Sequence, residues 1–305
     1  MFAWFDRFSI IQPKTMRFFK QTSFISLAAF CFTLSYGATK PKIMVSIPPQ
    51  KTFVQAIAGE EVDVMALLKP SQSPNTFSLT PRLLAGAMQA EVYFLMGIPM
   101  EEPIIAKLQR QTHSIQFIDT SLGIRKRSIE DHSHGHLEND SPHPHITDPH
   151  IWLSPGLVIV QLQHYYRALK ELLPDKEELL NKNLSGFRRF LRETDEKLSQ
   201  MLKPFAGNTV FVYHPAFGYF LNRYGLRQET VEIRGKQPSP KQLQYLIRSI
   251  KVHNAKIIFV QPQFDRKSAK AIADSIGGTV MGIDPLAENY VENLLHMGES
   301  ISKSF

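Results

Sequence analysis

The chain has 305 residues, 43% hydrophobic and 21% charged, which excludes wholesale disorder and leaves room for two domains with a large core. Of its formal net charge of +7, three charges come from residues 1–38, which carry Arg7, Lys14, Arg17 and Lys20 against Asp6. The remaining 31 basic and 27 acidic residues make an ordinary surface, so no nucleic-acid partner is expected.

The first segment predicts an export signal. Met16-Arg17-Phe18-Phe19-Lys20 supplies positive charge, Phe24 to Leu34 an apolar run, and Ser35, Gly37 and Ala38 small residues for cleavage. The apolar run is shorter than the ~20 residues a spanning helix needs. Met16 also serves as a candidate start, because the residues before it fit no part of a leader. The single cysteine, Cys31, lies inside this run after Phe30, so it does not read as a lipoprotein site. Beyond residue 38 no cysteine remains, and a metal there must be held by His, Asp or Glu. An exported chain without an anchor points to the periplasm.

After the leader, short apolar strands are predicted at Lys42–Ile47, Val62–Leu68, Val92–Met96 and Ile115–Asp119. A second group is predicted at Val210–Tyr213, Thr230–Ile233, Lys256–Val260 and Val280–Ile283. Amphipathic stretches between them include Pro81–Ala90, Pro103–Gln111, Pro240–His253 and Ser268–Ile276. Strands alternating with helices of this length imply βα units and parallel sheets, here twice over without a sequence repeat. The fold class expected is α/β, two lobes with parallel sheets flanked by helices.

Between the groups, Asp175 and Glu178 read as a capping box, and Leu180, Leu184, Phe187, Leu191, Leu198 and Met201 form one helical stripe ended by Pro204. Residues 175–203 are therefore expected to form one rigid helix of about 40 Å. It would join an N-terminal lobe of residues 39–174 to a C-terminal lobe of residues 204–305. The segment 127–150 breaks the rhythm and holds His132, His134, His136, His143, His145 and His150, six of the eleven histidines. Polar and without apolar period, it reads either as a solubilising loop or as a weak collector of divalent metal.

Three further features point to chemistry. His150 follows a proline in Asp148-Pro149-His150-Ile151-Trp152, at the mouth of a helix. His214 ends a hydrophobic strand in Tyr213-His214-Pro215-Ala216-Phe217-Gly218, and Asp284 follows another in Asp284-Pro285-Leu286. Residues just past parallel strands face the crevice where ligands bind in open α/β sheets. Imidazole suits zinc, copper and nickel, whereas magnesium and calcium favour oxygen.

These motifs, with Leu68-Lys69-Pro70, Ser73-Pro74-Asn75-Thr76-Phe77, Gly235-Lys236-Gln237-Pro238-Ser239-Pro240 and Phe259-Val260-Gln261-Pro262-Gln263-Phe264, resemble the metal-binding receptors of bacterial ABC importers. The likeness covers the whole chain beyond the leader and is to the zinc-type branch. The resemblance implies a metal site in the cleft between the lobes, non-enzymatic capture of zinc, and delivery to a membrane permease with a cytoplasmic ATPase. It implies a monomer with His150, His214 and Asp284 as ligands. Asn75 stands where the family has its first histidine. Either water or a histidine of the segment completes the site, or the preference has moved toward manganese or iron(II), since oxygen donors suit harder ions. The alternatives to a zinc receptor are a manganese or iron receptor of the same family, a metal-dependent adhesin and a zinc hydrolase. The hydrolase lacks His-Glu-x-x-His, and no Gly-x-Ser-x-Gly elbow occurs either.

Overall fold

The computed structural model describes residues 39–129, 147–232 and 238–305. The expected leader with Cys31, the histidines His132, His134, His136, His143 and His145, and Gly235-Lys236-Gln237 lie outside the described residues. No helix among the described residues is long and apolar enough to cross a membrane.

The chain runs β1 (Lys42–Val45), α1 (Pro48–Ala58), β2 (Asp63–Ala66), α2 (Pro81–Ala87), β3 (Val92–Leu95), α3 (Glu101–Gln111) and β4 (Gln116–Asp119). Helices α4 (Pro155–Leu172) and α5 (Glu177–Leu202) follow. Next come β5 (Thr209–Val212), α6 (Gly218–Arg223), β6 (Arg227–Thr230), α7 (Pro240–Val252), β7 (Ile257–Val260), α8 (Arg266–Ser275), β8 (Thr279–Gly282) and α9 (Tyr290–Ser302). The strands form two four-stranded parallel sheets, β2-β1-β3-β4 and β6-β5-β7-β8. The α/β two-lobe fold is therefore as expected. The two orders are the same, so topology repeats where sequence does not.

Period-2 alternation divides the core. Ile43, Val45, Phe94, Val210 and Val212 enter one central cluster with α1, α4, α5 and α9, shared by both sheets. Met44, Tyr93 and Leu95 turn to an outer core in the first lobe, and Phe211 and Tyr213 to one in the second. The lobes are thus not independently cored.

Helix α5 spans 26 residues and buries Leu180, Leu184, Phe187, Leu191, Thr194, Leu198 and Leu202. Leu202 takes the last place in the stripe, and Met201 is only half-buried. The expected capping box is corrected: Asp175 lies in a separate short turn, Pro174–Lys176, and Lys176 caps α5 without a side-chain hydrogen bond. Lys176 is non-helical (φ −109°, ψ 12°) between that turn and α5, so the helix starts two residues late. Helix α9 crosses α5 closely at Gly298, where an added Cβ would lie 2.5 Å from Leu198 Cδ2.

The strand expected at Thr230–Ile233 is also corrected, since β6 lies at Arg227–Thr230. It is a sheet edge, where the polar residues Arg227, Gln228 and Glu229 are tolerated. The apolar signal came from Val231, buried just past the strand end. Bonds join the start of α4, and helix α1, to the second lobe. The Trp152 indole N–H donates to Pro285 O at 2.7 Å, and the Tyr290 hydroxyl donates to Trp152 O at 2.6 Å. Lys51 Nζ pairs with Glu288 Oε1 at 2.6 Å, and the Thr52 hydroxyl donates to Glu288 O.

Candidate metal centre

His214 lies two residues past β5, at the carboxyl edge of the second sheet. Strand β5 sits beside β7 where the strand order reverses, the crevice position of open α/β sheets. Gln261, just past β7, clamps the His214 main chain: its Nε2 donates to His214 O at 2.8 Å, and its Oε1 accepts from His214 N at 3.4 Å. Phe264 stacks on the imidazole with centroids 4.8 Å apart. His214 Nδ1 lies 3.0 Å from Glu232 Oε2.

His150 precedes the tight turn Ile151–Leu153 that leads into α4. Its backbone N–H and its Nδ1 both reach Asp148 Oδ1, at 3.0 and 2.8 Å. Asp148 is itself buried, and Arg127 Nε stands 3.7 Å from its Oδ2. Arg127 also lies over the Tyr219 ring and fills the space that a Cβ on Gly218 would take, 2.7 Å from its Nη1.

These supports bring the two imidazoles edge to face with centroids 5.6 Å apart. A carboxylate accepts only from a protonated nitrogen, so in a neutral ring Nδ1 carries the hydrogen and Nε2 keeps the lone pair that can bind a metal. Burial pushes the His214 imidazole below its ordinary range, with the neighbouring His150 adding to this and Glu232 opposing it. The ring is therefore neutral, and able to donate to a metal, over a wider span of pH.

A histidine whose folded pKa is depressed contributes stability above its unfolded value, ordinarily 6.5, and loses it as pH falls toward the folded value. Metal-free protein is expected to lose stability on acidification below about pH 6.5 more steeply than a His214→Gln variant. Urea midpoints of both proteins from neutral to mildly acid pH measure this. Parallel losses in the two would count against it.

Asp284 lies two residues past β8, as expected of a crevice residue. Its Oδ1 accepts from Gln263 Nε2 and from Leu286 N, both at 2.9 Å. Strand β7 lies between β5 and β8, which separates their ends by about 10 Å. Among the described residues no three His, Cys, Asp or Glu side chains converge into one ligand set. The structure thus brings His150 and His214 together but does not close Asp284 onto them. Asn75 is exposed in the short turn Pro74–Thr76. It lines a pocket of about 560 Å³ with Phe77, Met100 and Lys107. The ends of the His-rich segment pair through an antiparallel bridge, Ser128 to Thr147.

Asp148, Glu232, Gln261 and Phe264 were not singled out from sequence as site residues. Asp148 had a legible signal, an acidic residue two positions before His150. Glu232 had none, because only the pairing of β5 with β6 brings it to His214. Two imidazoles backed by carboxylates suit a borderline divalent ion such as zinc.

The sequence model of the periplasmic zinc-uptake complex component A matches residues 43–304. A protein of Chlamydia trachomatis serovar D, named only for metal binding, is 30% identical over 276 residues, spanning 89% of this chain and 95% of its own. The high-affinity zinc uptake system protein ZnuA of Yersinia pestis is 28% identical over 277 residues, spanning 84% of this chain and 86% of its own. A crystal structure of ZnuA aligns with a TM-score of 0.80 at 34% identity, covering 87% of this chain and 99% of that one.

Proposed function

The chain belongs to the periplasmic zinc-uptake component A family, and on that premise we propose that His150 and His214 hold the zinc it carries. The protein is a receptor that captures zinc for an ABC importer, and it is not an enzyme. Its partners are accordingly a membrane permease and the ATPase that drives it. The receptor works as a monomer, exported to the periplasm by the leader in residues 1–38.

The observation that carries the site is the meeting of two imidazoles 5.6 Å apart, each backed at Nδ1 by a carboxylate. Both Nε2 atoms donate to the ion. Asp284 joins from the second lobe, after a small shift of the segment that follows β8. The shared central core and the bonds around Trp152 support such a local adjustment over a wide opening of the lobes. Water takes the fourth position that tetrahedral zinc requires. The histidines at 132, 134, 136, 143 and 145 collect metal outside this site with lower affinity.

Elemental analysis of protein purified without chelator or added metal tests the reading. One equivalent of zinc is expected. Manganese or iron in its place would overturn the ion and point to an oxygen-rich site formed around Asn75 and Asp284.

A further inference from the structure

Each site histidine has a buried carboxylate behind it, and the two arrive by different routes. Asp148 comes from the loop three residues before the turn Ile151–Leu153 begins, and its side chain is 1% exposed. Glu232 arrives through the sheet. The β5–β6 ladder continues past both strands, with Val231 N donating to Val212 O and Glu232 N to Tyr213 O, each at 2.9 Å. That register sets Glu232 beside the residue after Tyr213, which is His214. The Glu232 side chain is 5% exposed. Burying a carboxylate is costly unless it is well bonded, so packing alone does not account for acids at both places. A carboxylate on one ring nitrogen fixes the tautomer and ring orientation and raises the donor strength of the other nitrogen.

We propose that Asp148 and Glu232 are paired positioning residues, which accept the two Nδ1 hydrogens and so aim both Nε2 atoms into one gap. The inference rests on His150 and His214 being the zinc ligands. Neither acid touches the ion. Their contribution is that the ligands need not reorient when zinc arrives, which lowers the cost of binding. Arg127 beside Asp148 offsets part of the burial cost on one side of the pair.

Glu232 gives the cleaner test, because Asp148 also holds the His150 backbone. Glu232→Gln keeps an oxygen that accepts from Nδ1, whereas Glu232→Leu has a similar volume and no acceptor. Two quantities are read on the full chain beyond the leader: zinc affinity by chelator competition, and the His214 tautomer by long-range proton–nitrogen NMR without metal. The expected result is an Nδ1–H tautomer in wild type, retained in Glu232→Gln with affinity within a few-fold. Glu232→Leu is expected to mix tautomers and bind zinc about 10–100-fold more weakly. An Nε2–H tautomer in wild type would overturn the proposal, and this holds even if the leucine variant does not fold. So would wild-type affinity in Glu232→Leu, or equal losses in both variants with the tautomer unmoved. His214→Ala is the control for the underlying reading: zinc binding undiminished there would overturn the ligand assignment itself.

Discussion

Replacing His214 with alanine is expected to weaken zinc binding by at least about a hundredfold. Removing only a partner behind a metal ligand costs roughly 10–100-fold, and here the ligand itself would go, together with the face against which His150 packs. The fold should survive, since the His214 side chain lies outside the buried clusters of both lobes. Chelator competition and circular dichroism on the same samples give the two readouts. Tight binding in a well-folded variant would remove His214 from the site.

The largest effect on stability is expected from Phe53→Ala. Phe53 is fully buried on α1 and meets Tyr290 of α9 edge-on at 4.8 Å, Tyr165 of α4 at 6.0 Å and Phe187 of α5 at 6.4 Å. It is the point where the first lobe, the long helix and the last helix share one contact. Truncating such a ring costs about 3–5 kcal/mol. For a chain of this size that corresponds to a fall in melting temperature of roughly 6–20 °C. The zinc affinity of the folded fraction should not change, because Phe53 is not among the residues that hold His150 or His214. A shift of only a degree or two would show that the central core relaxes around the missing ring.

The sequence made some levels of this structure more legible than others. Interior strands such as β3 and β7 are continuous apolar runs, and they were placed to within a residue or two. The edge strand β6 was misplaced because Arg227-Gln228-Glu229 carries no apolar signal. The stripe on α5 was read correctly through Leu198, because period 3.6 survives a long helix, but its start depends on backbone geometry at Lys176. His150, His214 and Asp284 stand out in the sequence by their places after a proline or a strand. Which of them touch depends on strand order, and β7 between β5 and β8 keeps Asp284 from the histidine pair. Glu232 lay beyond sequence reasoning for the same reason. It meets His214 only through the parallel pairing of two strands.

The bond from Trp152 to Pro285 has a practical consequence for watching the receptor fill. The chain has two tryptophans, Trp4 and Trp152, so protein beginning after residue 38 has a single indole fluorophore. That indole is 1% exposed, its N–H is engaged by the opposite lobe, and its ring lies 5.2 Å from the His150 imidazole. Its emission therefore comes from one site and is sensitive to changes around the His150 ring and to any slip between the lobes. Unlabelled protein thus carries an optical probe beside the His150 imidazole. A change in emission that saturates with zinc would follow loading in real time.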